Sequence, residues 1–84
     1  MAYNITFKKS VSKDLKKIEH SEADRILKEI SSELSIKADQ FPPLKGQFTG
    51  LRKFRVGNYR VIYSIINDSI LILRIRHRTD VYKN

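Results

Sequence analysis

An α+β fold in the order β-α-α-β-β-β is predicted: a small, twisted, mainly antiparallel sheet with a two-helix hairpin packed on one face. Three observations predict it. Apolar residues recur at helical spacing between Val11 and Leu34. They alternate or run together, as in strands, near the start and after position 50. Between these regions, residues 41–50 gather both prolines and two of the three glycines, a density that neither a helix nor a central strand tolerates.

Each element has its own reason. In "AYNITFKK", Tyr3, Ile5 and Phe7 alternate with Asn4, Thr6 and Lys8, which predicts a strand with one buried face. Val11, Leu15 and Ile18 then fall on one stripe of a short helix, with Ser10 as its expected N-cap. A second helix is expected from Ser21, with Asp24 completing an approximate capping box. Its stripe is Ala23, Ile26, Leu27, Ile30 and Leu34. After the proline-rich connection come "LRKFRVG", a Gly57-Asn58 turn, "YRVIYSII", an "NDS" turn and "ILILRIR". Short turns between three consecutive strands make an antiparallel meander. The run "SILIL" (residues 69–73) is apolar at successive positions, so it is expected at the centre of the sheet, covered on both faces.

A chain of 84 residues is expected to form a single domain, 1–84, with one modest core. Hydrophobic content of 40% and charged content of 31% supply that core and exclude a disordered chain. There is no cysteine, which excludes disulfides and thiolate metal sites. No signal-peptide layout and no apolar run of membrane-spanning length is present, so a cytoplasmic protein without membrane contact is expected.

Charge carries the functional signal. The formal net charge is +8, and it is segregated. Residues 1–40 hold eight basic and seven acidic residues, whereas residues 41–84 hold nine basic residues against Asp68 and Asp80 alone. Six of the seven arginines lie after position 50. Arginine without acidic neighbours suits phosphate, because a planar guanidinium holds two oxygens at once. The set is Arg52, Lys53, Arg55, Arg60, Arg74, Arg76 and Arg78. Strand parity puts Arg60, Ile62 and Ser64 on one face, and Tyr59, Val61, Tyr63 and Ile65 on the other. Arg74, Arg76 and Arg78 share one parity if their strand reaches that far. A row of arginines cannot lie unpaired in a core, so their face must be open or must bind an anion. Two helices cannot shield both faces of four strands, which agrees.

Phe54, Tyr59 and Tyr63 are read as core aromatics, and Tyr82, among polar residues past the last strand, as a residue for function or for packing. His77 stands between two arginines, and an imidazole is the usual side chain for proton exchange near neutral pH. His20 is read as structural or exposed. With two carboxylates in the cationic half and no His-x-x-x-His pattern, no metal site and no cofactor are expected. If the protein cleaves RNA, the adjacent 2'-hydroxyl would attack the phosphorus and arginines would stabilise the charge that develops.

Those residues also carry a resemblance. "LRKFRVGNYRVIYSI" followed by "ILILRIRHRTDVY" resembles the RelE/ParE superfamily of toxins from toxin–antitoxin pairs. The recurring pattern is a basic-apolar-basic strand (Lys53-Phe54-Arg55), Tyr-Arg-apolar-apolar-Tyr (Tyr59 to Tyr63), an apolar strand, and His-Arg-x-x-x-Tyr (His77 to Tyr82). The resemblance implies the RelE-like fold. Its RelE branch implies a ribosome-dependent, metal-independent endoribonuclease that cuts mRNA in the A site and leaves a 2',3'-cyclic phosphate. On that reading Arg60 stabilises the transition-state phosphate, Arg76 is the general acid toward the 5'-oxygen, and Tyr82 stacks on or orients the substrate. Lys53 and Arg55 supply positive charge to the cleft, and His77, which departs from the best-known RelE pattern, shares the proton transfer. Arg52, Arg74 and Arg78 complete the RNA-binding set. The implied partners are a 70S-type ribosome carrying mRNA and an acidic RelB-like antitoxin from the adjacent gene, held in a hetero-oligomeric complex. Two residues follow Tyr82, so little or no C-terminal helix is expected, and inhibition by covering the site is the corresponding expectation. The alternatives are a ParE-like inhibitor of DNA gyrase without nuclease activity and a non-catalytic RNA-binding module.

Overall fold

The computed structural model describes residues 3–44 and 50–81. The order of elements is β1 (Asn4–Phe7), α1 (Lys9–Lys16), α2 (His20–Glu29), β2 (Arg52–Val56), β3 (Tyr59–Ile66) and β4 (Ser69–His77). The α2 helix runs on through a π turn (Ile30–Leu34), a short α-turn (Ser35–Lys37) and a 3₁₀ turn (Ala38–Gln40). A four-residue helical turn, Arg78–Val81, follows β4.

The sheet order is β1-β4-β3-β2. β2, β3 and β4 form the expected meander, and β1 returns parallel to β4. The parallel pair follows from the crossover through both helices, since a two-residue turn can join only antiparallel neighbours. Gly57, at φ 58°, and Asn67, at φ 57°, supply the left-handed positions of the two hairpin turns. "SILIL" is central, as its composition predicts.

The helices lie on one face. Val11 from α1 and Ile26, Ile30, Leu34 and Ala38 from the α2 segment meet Phe54, Val56, Val61, Tyr63, Ile70, Ile72 and Ile75 from the strands. The last three helical residues keep a four-residue spacing through the π turn, which holds them on one line. Tyr63 is buried, and its hydroxyl donates to Ala38 O at 2.6 Å. Burial pushes this phenol up to about 12, so it remains a donor and ties the helix end to the sheet.

Several local expectations differ from the structure. Phe7 is 47% exposed because β1 is a four-residue edge strand whose last side chain lies beyond the helix cover. Ser10 does not cap α1: Lys8 takes that position, and the Ser10 hydroxyl donates to Leu73 O at 2.7 Å. Helix α2 begins at His20, and the Ser21 hydroxyl donates to the Glu19 carboxylate instead of capping the backbone. "SILIL" is fully buried only at Ile70 and Ile72, while Leu71 and Leu73 are half-buried on the open side. Residues 45–49 of the connection lie outside the described residues. Its flanks are not irregular, because Leu44 N donates to Leu51 O and Lys53 N to Pro42 O, extending the ladder past β2.

One irregularity places the site. Ile62 pairs with Arg74 and Tyr63 with Ile72, so Leu73 is an extra residue in β4. This β-bulge reverses the facing of everything after it. Ile70 and Ile72 point into the core before it, and Ile75 does so after it.

Candidate nucleic-acid interface

The bulge aims Arg76 at the open face. There Arg55 pairs with Arg60, and Arg60 pairs with Arg76, in direct cross-strand register. Three guanidiniums therefore stand abreast across β2, β3 and β4. Like charges directly opposite repel, and a polyanion laid along the row would offset that repulsion. Lys53 lies two pairs further along, opposite Ile62. Lys53, Arg60, Arg74 and Arg76 line a depression of about 290 Å³ together with Leu44, Leu51, Ile62 and Leu73. At the other end Arg78 joins Arg55 and Arg60 around a hollow of about 220 Å³. Cations over an apolar floor fit a flexible polyanion with flat faces: charge meets phosphate while a base or ribose covers the leucines.

Two residues of the cationic set carry further ties. Arg52 points off the row, and its guanidinium donates to Phe41 O at 2.7 Å and Asp39 O at 3.3 Å. It holds the carbonyl end of the α2 segment, where a cation is favoured. Arg74 forks onto Asp14, with Nε 2.9 Å from Oδ2 and Nη2 3.0 Å from Oδ1. Arg78 starts the helical turn instead of prolonging β4, so the three arginines 74, 76 and 78 do not form one strand row. Tyr82 lies outside the described residues.

Asp14 was not foreseen. It is 6% exposed and the one buried charged side chain among the described residues. Its Oδ2 also accepts from Ile75 N at 2.9 Å. Burial by itself would raise its pKa. The hydrogen bonds from Arg74 and from Ile75 N–H, with the charges of Arg74 and Arg76, outweigh burial and hold the carboxyl below its ordinary value. The same hydrogen bond raises the pKa of Arg74. Beyond the end of β1, α1 thus serves as the neighbour of β4: Ser10 takes the Leu73 carbonyl and Asp14 takes the Ile75 N–H. The available signal was an acid three residues after Val11, on the apolar side of a helix otherwise ringed by lysine.

His77 lies on the helix side, paired with Tyr59, and their rings meet edge to face with centroids 5.2 Å apart. Its Nδ1 accepts from Thr79 N–H at 3.3 Å and lies 2.8 Å from Thr79 Oγ1. These contacts assign the neutral ring its proton on Nε2, which makes it a hydrogen-bond donor. Among the described residues no three acidic or histidine side chains converge as a metal site would need, and no helix is long and apolar enough to cross a membrane.

Solved structures share this fold. The chain is similar to the toxin–antitoxin complex RelBE2 from Mycobacterium tuberculosis, with a TM-score of 0.86 and 26% identity, covering 93% of this chain and 100% of that one. The archaeal RelE–RelB complex from Pyrococcus horikoshii OT3 matches with a TM-score of 0.67 and 31% identity, covering 93% and 97%. The fold is therefore that of RelE-like toxins. In sequence, Toxin RelG of Mycobacterium tuberculosis is 28% identical over 86 residues, 99% of each chain. The family model for the ParE toxin of type II toxin–antitoxin systems, parDE, matches residues 5–82. The chain belongs to that family, and with it to the RelE/ParE superfamily of type II toxins.

Proposed function

We propose that this toxin is a ribosome-dependent, metal-independent endoribonuclease that cuts mRNA in the A site. The observation that carries the reading is the Arg55–Arg60–Arg76 row. A phosphate on that row meets fixed guanidiniums at the moment its charge grows, and preorganised positive charge is the largest ordinary source of rate enhancement. The 2'-oxygen bonds to phosphorus as the bond to the 5'-oxygen breaks, leaving a 2',3'-cyclic phosphate and a 5'-hydroxyl. Arg60 stabilises the pentacoordinate phosphate and Arg76 supplies the proton to the leaving oxygen. Lys53 and Arg55 favour loss of the 2'-hydroxyl proton, which passes to solvent, and solvent restores the proton that Arg76 gives up, while Tyr82 stacks on or orients the substrate. His77 stands next to Arg76 but on the helix side of β4, away from the row, and takes no part in this step. Arg78 extends the binding surface, while the ties of Arg52 and Arg74 give them a supporting role.

The site works in the cytoplasm, where its substrate is the mRNA of a 70S-type ribosome. Its inhibitor is an acidic RelB-like antitoxin, which the complexes of the RelBE2 and Pyrococcus horikoshii relatives support. An acidic segment laid over the arginine row neutralises the charge that RNA would otherwise meet.

The test is EDTA-resistant cleavage on programmed ribosomes with a defined A-site codon, mapped by primer extension. Wild type is expected to cut in the A site, with Arg60→Ala, Arg76→Ala and Tyr82→Phe reduced. Absence of cuts from folded wild-type protein overturns the reading. A second reading, gyrase inhibition, is favoured by the parDE family match. It predicts loss of supercoiling activity in a purified gyrase assay and intact mRNA on ribosomes.

A further inference from the structure

A second cleft of about 440 Å³ opens on the helix side of the sheet, between the end of α1 and the end of β4. Its walls include Lys17, Ile18, Tyr59, Arg76, His77 and Thr79. The arginine row uses none of Lys17, Ile18 or Tyr59. The volume falls within the roughly 300–1,000 Å³ of small-ligand sites. Three features give it a chemistry. Tyr59 and His77 offer an aromatic corner, fixed edge to face, beside the apolar Ile18. The Nδ1 contacts with Thr79 leave His77 Nε2–H without a hydrogen-bond partner among the described residues. Lys17 is exposed, while the one carboxylate in the wall, Asp14, has both oxygens engaged by Arg74 and Ile75 N–H. The cleft is therefore cationic in effect, with a flat apolar corner.

Its position matters as much as its lining. Arg76 lines this cleft and also the depression on the open face. The two hollows share Arg74 and Arg76, and they meet at the edge of β4 beyond its bonds to α1. A strand of RNA crossing that edge would place one phosphate on the arginine row and the neighbouring nucleotide behind it. We propose that the α1–β4 cleft is a nucleotide subsite of the toxin, taking the base next to the scissile phosphate against Tyr59 and His77 and its phosphate on Lys17. Single-stranded RNA fits better than an acidic peptide, because charge alone would leave the aromatic corner unused. The inference rests on the reading of the chain as an RNA-directed toxin, and it extends the site to a helix whose lysines that reading leaves idle.

The experiment is NMR titration of the full ¹⁵N-labelled chain with a 2'-O-methylated trinucleotide, which cannot be cleaved because the attacking hydroxyl is blocked. Saturable shifts are expected at the amides of Lys17, Ile18 and Thr79. They should persist in Arg60→Ala and weaken at least about fivefold in affinity in Lys17→Glu. Lys28→Glu, an equal change of charge on the exposed side of α2, should bind as wild type does. Shifts confined to residues 53–62, with Lys17 and Thr79 unmoved, overturn the inference. So does inorganic phosphate reproducing every cleft shift, since no base would then be read. Equal weakening by Lys28→Glu reduces the effect to net charge and also overturns it. The two readings fail separately. Cleft shifts without ribosomal cleavage remove the nuclease and keep the subsite, and cleavage without cleft shifts removes the subsite alone.

Discussion

The two halves of β4 behave as different strands. In Ser69 to Leu73, the even-numbered residues are buried and the neighbour is β1, paired through Phe7 and Ile72. In Arg74 to His77, the odd-numbered Ile75 is buried and the neighbour is α1, bonded through Asp14. The first half is held by hydrophobic burial and a regular ladder. The second is held by one carboxylate that satisfies a strand N–H and a guanidinium together. The difference shows how a small domain carries charge next to its core. Without the extra residue at Leu73, strict alternation would turn Arg74 and Arg76 toward the helices and Ile75 toward water, at a desolvation cost of several kcal/mol per ion. The bulge lets one continuous strand be core at its start and cationic surface at its end.

The largest expected break concerns the arginine row that Arg76 of the second half completes with Arg60 of β3. Arg60→Ala should lower the ribosomal cleavage rate by about 10²–10³-fold, as loss of one preorganised donor does elsewhere. Single-turnover kinetics on programmed ribosomes measure it. In the first half, Ile72→Ala should cost about 3 kcal/mol in urea unfolding, because it opens a cavity in a side chain that is wholly buried. Were the cost below about 1 kcal/mol, the first half of β4 would not be the anchor of the core.

Asp14→Asn should cost about 2 kcal/mol, since Arg74 then loses its charge partner while its head stays in water. The pH dependence identifies the cause. The folded-state pKa of Asp14 lies below its unfolded value, so the unfolded chain binds the proton first. The contribution is therefore fully present above the ordinary aspartate value of about 4 and is lost as pH falls through the lower, folded value. The stability gap between wild type and Asp14→Asn should narrow in that acidic window. A gap that stays constant down to the lowest measurable pH would assign the effect to shape and not to charge. The smallest effect should be a gain. Arg55→Ala removes one like charge opposite Arg60 and should stabilise the fold by about 0.5 kcal/mol at low salt. The gain should vanish near 1 M salt, where screening acts within about 3 Å.

Much of this was legible in order and periodicity. The β-α-α-β-β-β order, the meander, the central "SILIL" strand and the segregation of arginine all follow from local spacing, and local spacing is what a sequence displays directly. The pattern of Lys53, Arg55 and Arg60 was legible for the same reason, because parity within one strand needs no knowledge of the neighbour. Helix starts were less so. Ser10 and Ser21 are good capping residues, yet the carbonyl of Leu73, far along the chain, competes for one, and the Glu19 carboxylate takes the other.

The sequence by itself determined the composition of the two faces: apolar residues for the helices to cover, and arginines that could not be buried. Only the tertiary structure decided which arginines are tied to the rest of the fold. Arg52 and Arg74 look the same as Arg55 and Arg76 in the sequence. They differ because one meets the carbonyl end of a helix and the other meets Asp14, sixty residues away. A bulge and a half-buried ion pair are properties of which strands and helices lie side by side, and their energies exist only once the chain has brought distant residues within a few ångströms.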